Sequence, residues 1–263
     1  MAFANERQIW YDEGKKVSVT FADVTQAAQD LANGHLSGPV SAHFLSKALA
    51  AAALLGSEME EKDETVIIQI KCDGPIGGIT AECTAAGTLR GYAEKKILDG
   101  LDGMGAPDPK KAIGRMQLQV TRSVPGRIIS RGISNSIDGY LAGSLQRKAV
   151  IVTDAAVTDD VKVLSARGVM VEALPDSDAS LADLMDPEKK PNLSVAPSTF
   201  LKKLGLAGAR LKKTDPLSFA CRCSPDRAAA MLAALSEDER SSLPPSVDIT
   251  CHMCGKTWTV KTK

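Results

Sequence analysis

Four cysteines near the C-terminal end of the sequence carry its clearest chemical signal. One residue separates Cys221 from Cys223, and two residues separate Cys251 from Cys254. Four thiolates suit tetrahedral Zn²⁺, whose structural sites often take four cysteine ligands. In an extended segment, side chains two positions apart point to the same side, so the first pair can face one metal ion. Gly255 permits the positive φ that follows such a chelating turn. The spacing predicts one zinc ion bound by all four sulfurs.

The cysteines lie within residues 216–263, which we call the cysteine lobe. A unit of about 48 residues is near the size at which domains need metals or disulfides to fold. A structural zinc ribbon is therefore one interpretation. A redox switch is the other, because Arg222 and Lys256 would partly offset the charge of four thiolates, and positive neighbours keep thiolates available to oxidants. Zinc contributes on the order of 10–16 kcal/mol to the folding of small zinc peptides, so its loss would unfold the lobe.

The other candidate residues are interpreted as structural. Cys72 and Cys83 flank a turn and could face each other across paired strands, but free cysteines usually behave as small buried hydrophobes. His252 stands between two predicted ligands and is expected to point away from the metal. The sequence contains no Gly-x-Ser-x-Gly, His-Glu-x-x-His or Walker motif, so no catalytic residue and no enzyme activity are predicted. A thiol oxidoreductase is disfavoured because a strand-like run, KTWTV, follows Cys254-Gly255.

Residues 1–175 predict an α+β domain that combines an antiparallel sheet with helices, which we call the first domain. Hydrophobic periodicity and turn residues locate the helices and strands. Glycine, proline and aspartate between the predicted strands indicate hairpin turns and therefore antiparallel pairing. The predicted helices are 24–33, 40–56 and 136–147; the predicted strands are 65–71, 77–83, 88–94, 114–122, 127–133, 149–153 and 168–174.

The composition changes after Pro175. Residues 176–188 carry five acidic side chains and no basic one, and basic residues and prolines follow. We interpret 176–215 as a helical, metastable linker with short helices near 180–185 and 198–206, since helices of that length are marginal alone. A helical extension packed on the first domain is the alternative, and a docked linker can also be the least stable element.

Charge and hydropathy limit the partners and the location. Lys plus Arg and Asp plus Glu both total 32, so there is no overall basic field to attract nucleic acid or an anionic membrane. The longest apolar run, Ala48–Gly56, is shorter than the roughly 20 residues that span a bilayer. The N-terminal residues lack the apolar core of a secretory signal, so we expect a cytoplasmic protein. A zinc-ribbon module that binds nucleic acid or protein is the alternative function.

Several motifs resemble the 33 kDa heat-shock chaperonin family of redox-regulated holdases. The pairing of Cys-x-Cys with Cys-x-x-Cys is unusual, and the similarity extends over nearly the whole chain. The motifs are Phe219-x-Cys221-x-Cys223-Ser224 with Arg227, Cys251-x-x-Cys254, His35-Leu36-Ser37-Gly38-Pro39, Leu45-Ser46-Lys47, Ile70-Lys71-Cys72-Asp73-Gly74-Pro75-Ile76-Gly77 and Arg90-Gly91-Tyr92. The sequence departs from the family at Cys72, where glycine is usual, at Gly114-Arg115-Met116 and at Ser144-Leu145-Gln146.

The resemblance implies an activity and a mechanism. Reduced family members hold zinc and are inactive. Oxidation would join Cys221 to Cys223 and Cys251 to Cys254, expel the metal, and unfold the tail and the linker. The apolar surface exposed in this way would capture unfolding client proteins without ATP. Activated members of the family tend to dimerise, so a homodimer is expected in the active state.

Overall fold

Two antiparallel sheets pack against a long apolar helix in the computed structural model, which describes residues 3–180 and 191–262. The helices are α1 (Thr25–His35), α2 (Pro39–Leu55), α3 (Pro109–Ala112), α4 (Ile137–Ser144), α5 (Pro197–Lys203), α6 (Pro225–Ala233) and α7 (Glu237–Ser241). The strands of the first domain are β1 (Glu6–Asp12), β2 (Val17–Asp23), β3 (Thr65–Cys72), β4 (Gly78–Thr84), β5 (Thr88–Ala93), β6 (Met116–Val124), β7 (Arg127–Ser134), β8 (Lys148–Val157) and β9 (Val163–Ala173). The later strands are β10 (Arg210–Pro216), β11 (Ser218–Phe219), β12 (Ser246–Thr250) and β13 (Thr257–Lys261).

The sheet topology confirms the predicted α+β class. The five-stranded sheet has the order β10-β1-β2-β9-β8, and all its neighbouring strands are antiparallel. The six-stranded sheet has the order β11-β5-β4-β3-β6-β7 and is antiparallel except where the short strand β11 joins β5 in parallel. Strands β12 and β13 form a separate hairpin in the cysteine lobe.

Helix α2 is buried because strands of both sheets pack against it. Its sequence is rich in alanine and leucine, and small side chains let the strands approach closely: a Cβ on Gly168 of β9 would lie 3.5 Å from the Ala50 Cβ. The helical run Pro39–Glu58 is long and apolar enough to cross a membrane, but 83% of its apolar window is buried inside the protein. A helix that is apolar all round and covered on all sides is a core helix.

A second apolar cluster covers the outer face of the five-stranded sheet. Helix α5, from the predicted linker, supplies Phe200 and Leu201, and Leu206 follows it. The Phe200 ring meets Phe21 of β2 edge-on, with the ring centroids 5.5 Å apart. The sheet residues of this cluster are Val17, Val19, Phe21, Val169 and Val171. Part of the predicted linker is therefore packed on the first domain.

The helices and strands predicted for the first domain are all present, with ends shifted by a few residues. The helix predicted at 198–206 is α5, whereas the one predicted near 180–185 lies almost entirely outside the described residues. The sequence pattern does not predict the strands β1, β2, β10, β11 and β12 or the short helices α3, α6 and α7. Strand β10 is hard to recognise because its seven residues, RLKKTDP, are mostly exposed and charged. The proposed boundaries after residues 175 and 215 stay predictions.

Replacing Phe200 with alanine should selectively release α5. The side chain is buried among apolar residues, and such truncations cost about 3–5 kcal/mol. Amide hydrogen exchange of residues 197–203 should therefore accelerate, with Lys202→Ala, at an exposed position of the same helix, as the control. Exchange in the Phe200→Ala protein as slow as in the control would show that the ring does not hold α5.

Candidate metal centre

The structure brings the four predicted ligand sulfurs together. The sulfur atoms of Cys221, Cys223, Cys251 and Cys254 all lie within 4.8 Å of one another. The Cys221 and Cys251 sulfurs are 3.8 Å apart, and those of Cys223 and Cys254 are 3.5 Å apart. Cys254 is buried and the other three cysteines are half-buried. Two cysteine pairs that are 28 to 33 positions apart in the sequence thus converge on one point.

Local backbone structure holds each pair of cysteines. The N–H groups of Cys254 and Gly255 donate to the Cys251 carbonyl at 3.3 and 2.8 Å, and the Cys251 N–H donates to the carbonyl of Lys256. Gly255 has φ +74°, which confirms the predicted positive φ. After Cys223 the chain enters α6, where the Ser224 side chain accepts the N-cap hydrogen bond. Backbone hydrogen bonds therefore shape the second cysteine pair, and a capped helix follows the first.

The electrostatics of the group favour a bound cation. Burial opposes ionisation of Cys221, but the Cys223 N–H and the Arg90 guanidinium outweigh it and lower the pKa of this thiol to about 7. Burial raises the pKa of Cys254, and burial together with the neighbouring Cys221 sulfur raises the pKa of Cys251. Four thiolates so close together need a positive charge among them, and soft sulfur ligands in this number suit zinc and similar metals. The group can therefore hold a metal ion.

The cysteine lobe is docked on the first domain through backbone contacts at one end of the cluster. The Gly91 N–H of β5 donates to the Met253 carbonyl at 3.1 Å. At Gly34, near the end of α1, a Cβ would lie 2.6 Å from the Cys254 carbonyl oxygen. His35 completes the contact, because its Nε2 forms a 2.8 Å hydrogen bond to the Gly91 carbonyl. The Cys251–Cys254 turn fits only because glycine occupies position 34.

A second set of contacts involves Arg90 and Glu82, which the sequence did not predict as part of the site, together with Arg222 and Lys256, which it predicted to offset the thiolate charge. Arg90 of β5 directs Nη1 at the Cys221 sulfur, 3.9 Å away, and pairs with Glu82 of β4. Arg222 donates to the same carboxylate, and Lys256 lies over the Trp258 ring. The guanidinium that contacts a sulfur is thus that of Arg90, whose only sequence signal was its place in the Arg90-Gly91-Tyr92 motif.

The remaining cysteines and His252 lie apart from this group. Cys83 is buried in β4, and burial raises the pKa of its thiol to about 12. It is opposite Val66 of β3, whereas Cys72 is at the other end of β3, so the two cysteines do not face each other. The interpretation of Cys83 as a core residue is confirmed. The His252 ring packs against the Tyr92 ring, with centroids 5.8 Å apart.

The whole chain, including the cysteine cluster, is similar to known proteins. The family model described as Hsp33 protein matches residues 8–261, which is nearly the whole chain. The chain belongs to the Hsp33 family. Relatives named 33 kDa chaperonin include those of Symbiobacterium thermophilum, 29% identical over 90% of this chain and 88% of the relative, and Desulforamulus reducens, 25% identical over 90% and 87%. Membership of the Hsp33 family supports a chaperone function.

A solved structure supports the fold of the chain independently. A 33 kDa chaperonin of Thermotoga maritima, described as a heat shock protein 33 homologue, matches with a TM-score of 0.85 at 20% sequence identity. The match covers 99% of this chain and 96% of the Thermotoga chain. The arrangement of both sheets, α2 and the cysteine lobe is therefore an Hsp33 fold.

Replacing Gly34 with alanine should undock the Cys251–Cys254 turn. A real Cβ cannot stay 2.6 Å from the Cys254 carbonyl oxygen, and the obstacle is backbone. The Gly91 amide should then lose its hydrogen bond and exchange with solvent about 10-fold faster or more. The control is Gly143→Ala in α4, where a Cβ meets nothing within 4 Å. Equal Gly91 protection in both variants would contradict the close fit.

Proposed function

We propose that this protein is a redox-regulated, ATP-independent holdase that is inactive when its cysteines are reduced and hold zinc. The observation that carries the proposal is the convergence of four thiols within 4.8 Å, in a lobe docked on the first domain of an Hsp33 fold. Cys221, Cys223, Cys251 and Cys254 are the proposed zinc ligands. The proposed partners are unfolding client proteins, with a homodimer in the activated state, and the proposed location is the cytoplasm.

The activating step is oxidation of the four thiols by peroxide. In each pair, one thiolate attacks the peroxide to give a sulfenic acid, and the second thiolate displaces the oxygen to form a disulfide. Two thiolates, one peroxide and two protons become one disulfide and two waters, so peroxide accepts the two electrons that each pair gives up. Disulfide sulfur no longer supplies thiolate ligands, so the lobe loses the metal that stabilises it.

The proposed pairing is Cys221 with Cys223 and Cys251 with Cys254. In the folded lobe the Cys221 and Cys251 sulfurs are 3.8 Å apart and those of Cys223 and Cys254 are 3.5 Å apart, so proximity alone does not select the proposed pairing. The pairing is the one that the family resemblance implies, and the short sequence separation within each pair is compatible with it. Neighbours two or three residues apart stay within reach, whereas closing a loop of about 30 residues costs more chain entropy.

Unfolding of the lobe would spread to neighbouring segments and expose apolar surface that these segments cover in the folded protein. Phe219, which lies in β11 beside β5, packs on the main core just before the first cysteine. The linker helix α5 covers the outer face of the five-stranded sheet with Phe200 and Leu201. If both segments leave, the chain exposes valine and phenylalanine side chains on a sheet, a surface that suits extended, apolar segments of unfolding proteins.

Oxidation at raised temperature should release zinc and start holdase activity together. Peroxide treatment of the zinc-loaded protein should suppress aggregation of a thermally unfolding client, and a chromogenic chelator should report metal release over the same period. Cys221→Ser and Cys251→Ser should each prevent one disulfide. Cys72→Ser, at a half-exposed thiol outside the cluster, is the control and should behave as the unchanged protein. Retained zinc and unreacted thiols after oxidation would refute the switch.

Metal content should depend on the four cysteines specifically. The reduced protein should bind about one zinc ion, as a tetrathiolate site requires. Cys223→Ser should lower the zinc affinity sharply, and Cys83→Ser should leave it unchanged, although core packing around position 83 will suffer. Elemental analysis after dialysis against a competing chelator measures both. Full zinc binding by Cys223→Ser would remove this residue from the proposed ligand set.

A further inference from the structure

Glu82 is a buried carboxylate at the boundary between the first domain and the cysteine lobe. Its side chain is only 3% exposed. Both its oxygens accept hydrogen bonds from Arg90, the opposite residue on β5, with Nε and Nη2 each 2.7 Å away. This is the paired geometry in which a guanidinium binds a carboxylate most strongly. Glu82 thus fixes the position of the Arg90 guanidinium.

The same carboxylate also binds the cysteine lobe. Arg222 Nη2 donates to Glu82 Oε1 at 2.8 Å, and Arg222 stands directly between Cys221 and Cys223. The remaining guanidinium nitrogen of Arg90, Nη1, points at the Cys221 sulfur. Glu82 is therefore connected to the cluster by two routes, one through Arg222 and the backbone of its cysteine pair and one through Arg90 to a sulfur.

The charges explain why the contacts of Glu82, Arg90 and Arg222 would respond to oxidation of the cysteine cluster. The two arginines and Glu82 together carry one net positive charge, and four thiolates around one divalent cation carry about two negative charges. The two groups attract each other while the thiolates persist. Conversion to disulfides with loss of the cation would bring the cluster to neutrality, so Arg90 would lose its anionic partner.

We propose that Glu82 is a positioning residue that couples the redox state of the cysteine cluster to docking of the cysteine lobe. This inference rests on the proposed function. In the reduced protein, Glu82 holds Arg90 against the Cys221 sulfur and anchors Arg222, so the lobe stays docked. Oxidation removes the charge that Arg90 faces and rearranges the backbone on both sides of Arg222, and the carboxylate then loses its contact with the lobe.

Glu82→Gln tests the coupling, because glutamine keeps the shape and removes the charge. The reduced, zinc-loaded variant should still bind about one zinc ion, yet its Gly91 amide should exchange about 10- to 100-fold faster, the effect of losing a charge-assisted hydrogen bond. It should also suppress client aggregation without oxidant. If Glu82 had only a structural role, the substitution would lower overall stability, and zinc binding and docking of the lobe would weaken together.

Glu64→Gln is the matched control. Glu64 is 2% exposed and pairs with Arg122 Nη2 at 2.6 Å, so it is an equally buried ion pair within the first domain. Its other hydrogen-bond partners are the Glu60 and Glu61 backbone amides, also in the first domain. Glu64→Gln should lower stability by a similar amount and leave Gly91 exchange and oxidant dependence unchanged. Equal behaviour of the two variants would overturn the proposal.

Arg222→Gln keeps the test open if Glu82→Gln fails to fold. The Arg222 side chain is 54% exposed, so its loss should spare the core. By itself it should accelerate Gly91 exchange in the same direction, and unchanged Gly91 exchange would contradict the proposal. Where Glu82→Gln folds, combining the two substitutions should give less than the sum of their effects, because the residues act through one contact. Additive effects would contradict the proposal.

The exchange measurement also separates this inference from the proposed function. If the oxidised, unchanged protein fails to suppress aggregation, the holdase function fails, whatever the variants do. If the protein is an oxidation-activated holdase but Gly91 stays equally protected in Glu82→Gln, Arg222→Gln and the unchanged reduced protein, only the coupling role of Glu82 fails.

Discussion

The arrangement of the cysteine lobe depends on four sulfur atoms that the fold brings together and that would repel one another as thiolates. Thiols within 4.8 Å of one another can all ionise only if a cation lies among them, and the lobe around them has little core of its own. Its helices α6 and α7 are mostly exposed, and Ala228 is the buried residue of α6. In the proposed function, a cation among the sulfurs would therefore stabilise the folded lobe, and its loss on oxidation would destabilise it.

Strand β5 connects the cysteine cluster to the first domain. It pairs with β11 just before the first two cysteines, its Gly91 amide binds the turn that carries the other two, and Arg90 lies between these contacts and reaches a sulfur. On its other side β5 pairs with β4, which packs on α2. A single strand thus contacts both halves of the cluster and belongs to the sheet that covers the core helix.

The sequence predicted what depends on local spacing. The two cysteine pairs, the positive φ of Gly255 and the periodic elements such as α2 could all be read from it. It did not predict Glu82 and Arg90, because nothing local shows that these residues face each other across two strands and meet Arg222, more than 130 positions later. Strand β10 also lacks a local signal, because its residues are mostly exposed and charged and its partner β1 lies about 200 residues away.

Strand β10 limits how far unfolding of the lobe would spread. Arg7 of β1 is 1% exposed and donates to Asp215 of β10 and to the Ala53 carbonyl at the end of α2. Removing β10 would leave this guanidinium buried without its carboxylate, which costs about 3–5 kcal/mol when one partner of a buried ion pair is lost. Helix α5 is held by apolar contacts instead, of which the Phe200 ring alone is worth about 3–5 kcal/mol. Within residues 191–216, a buried ion pair therefore anchors β10 and apolar packing anchors α5, so charge changes would act on β10 and not on α5.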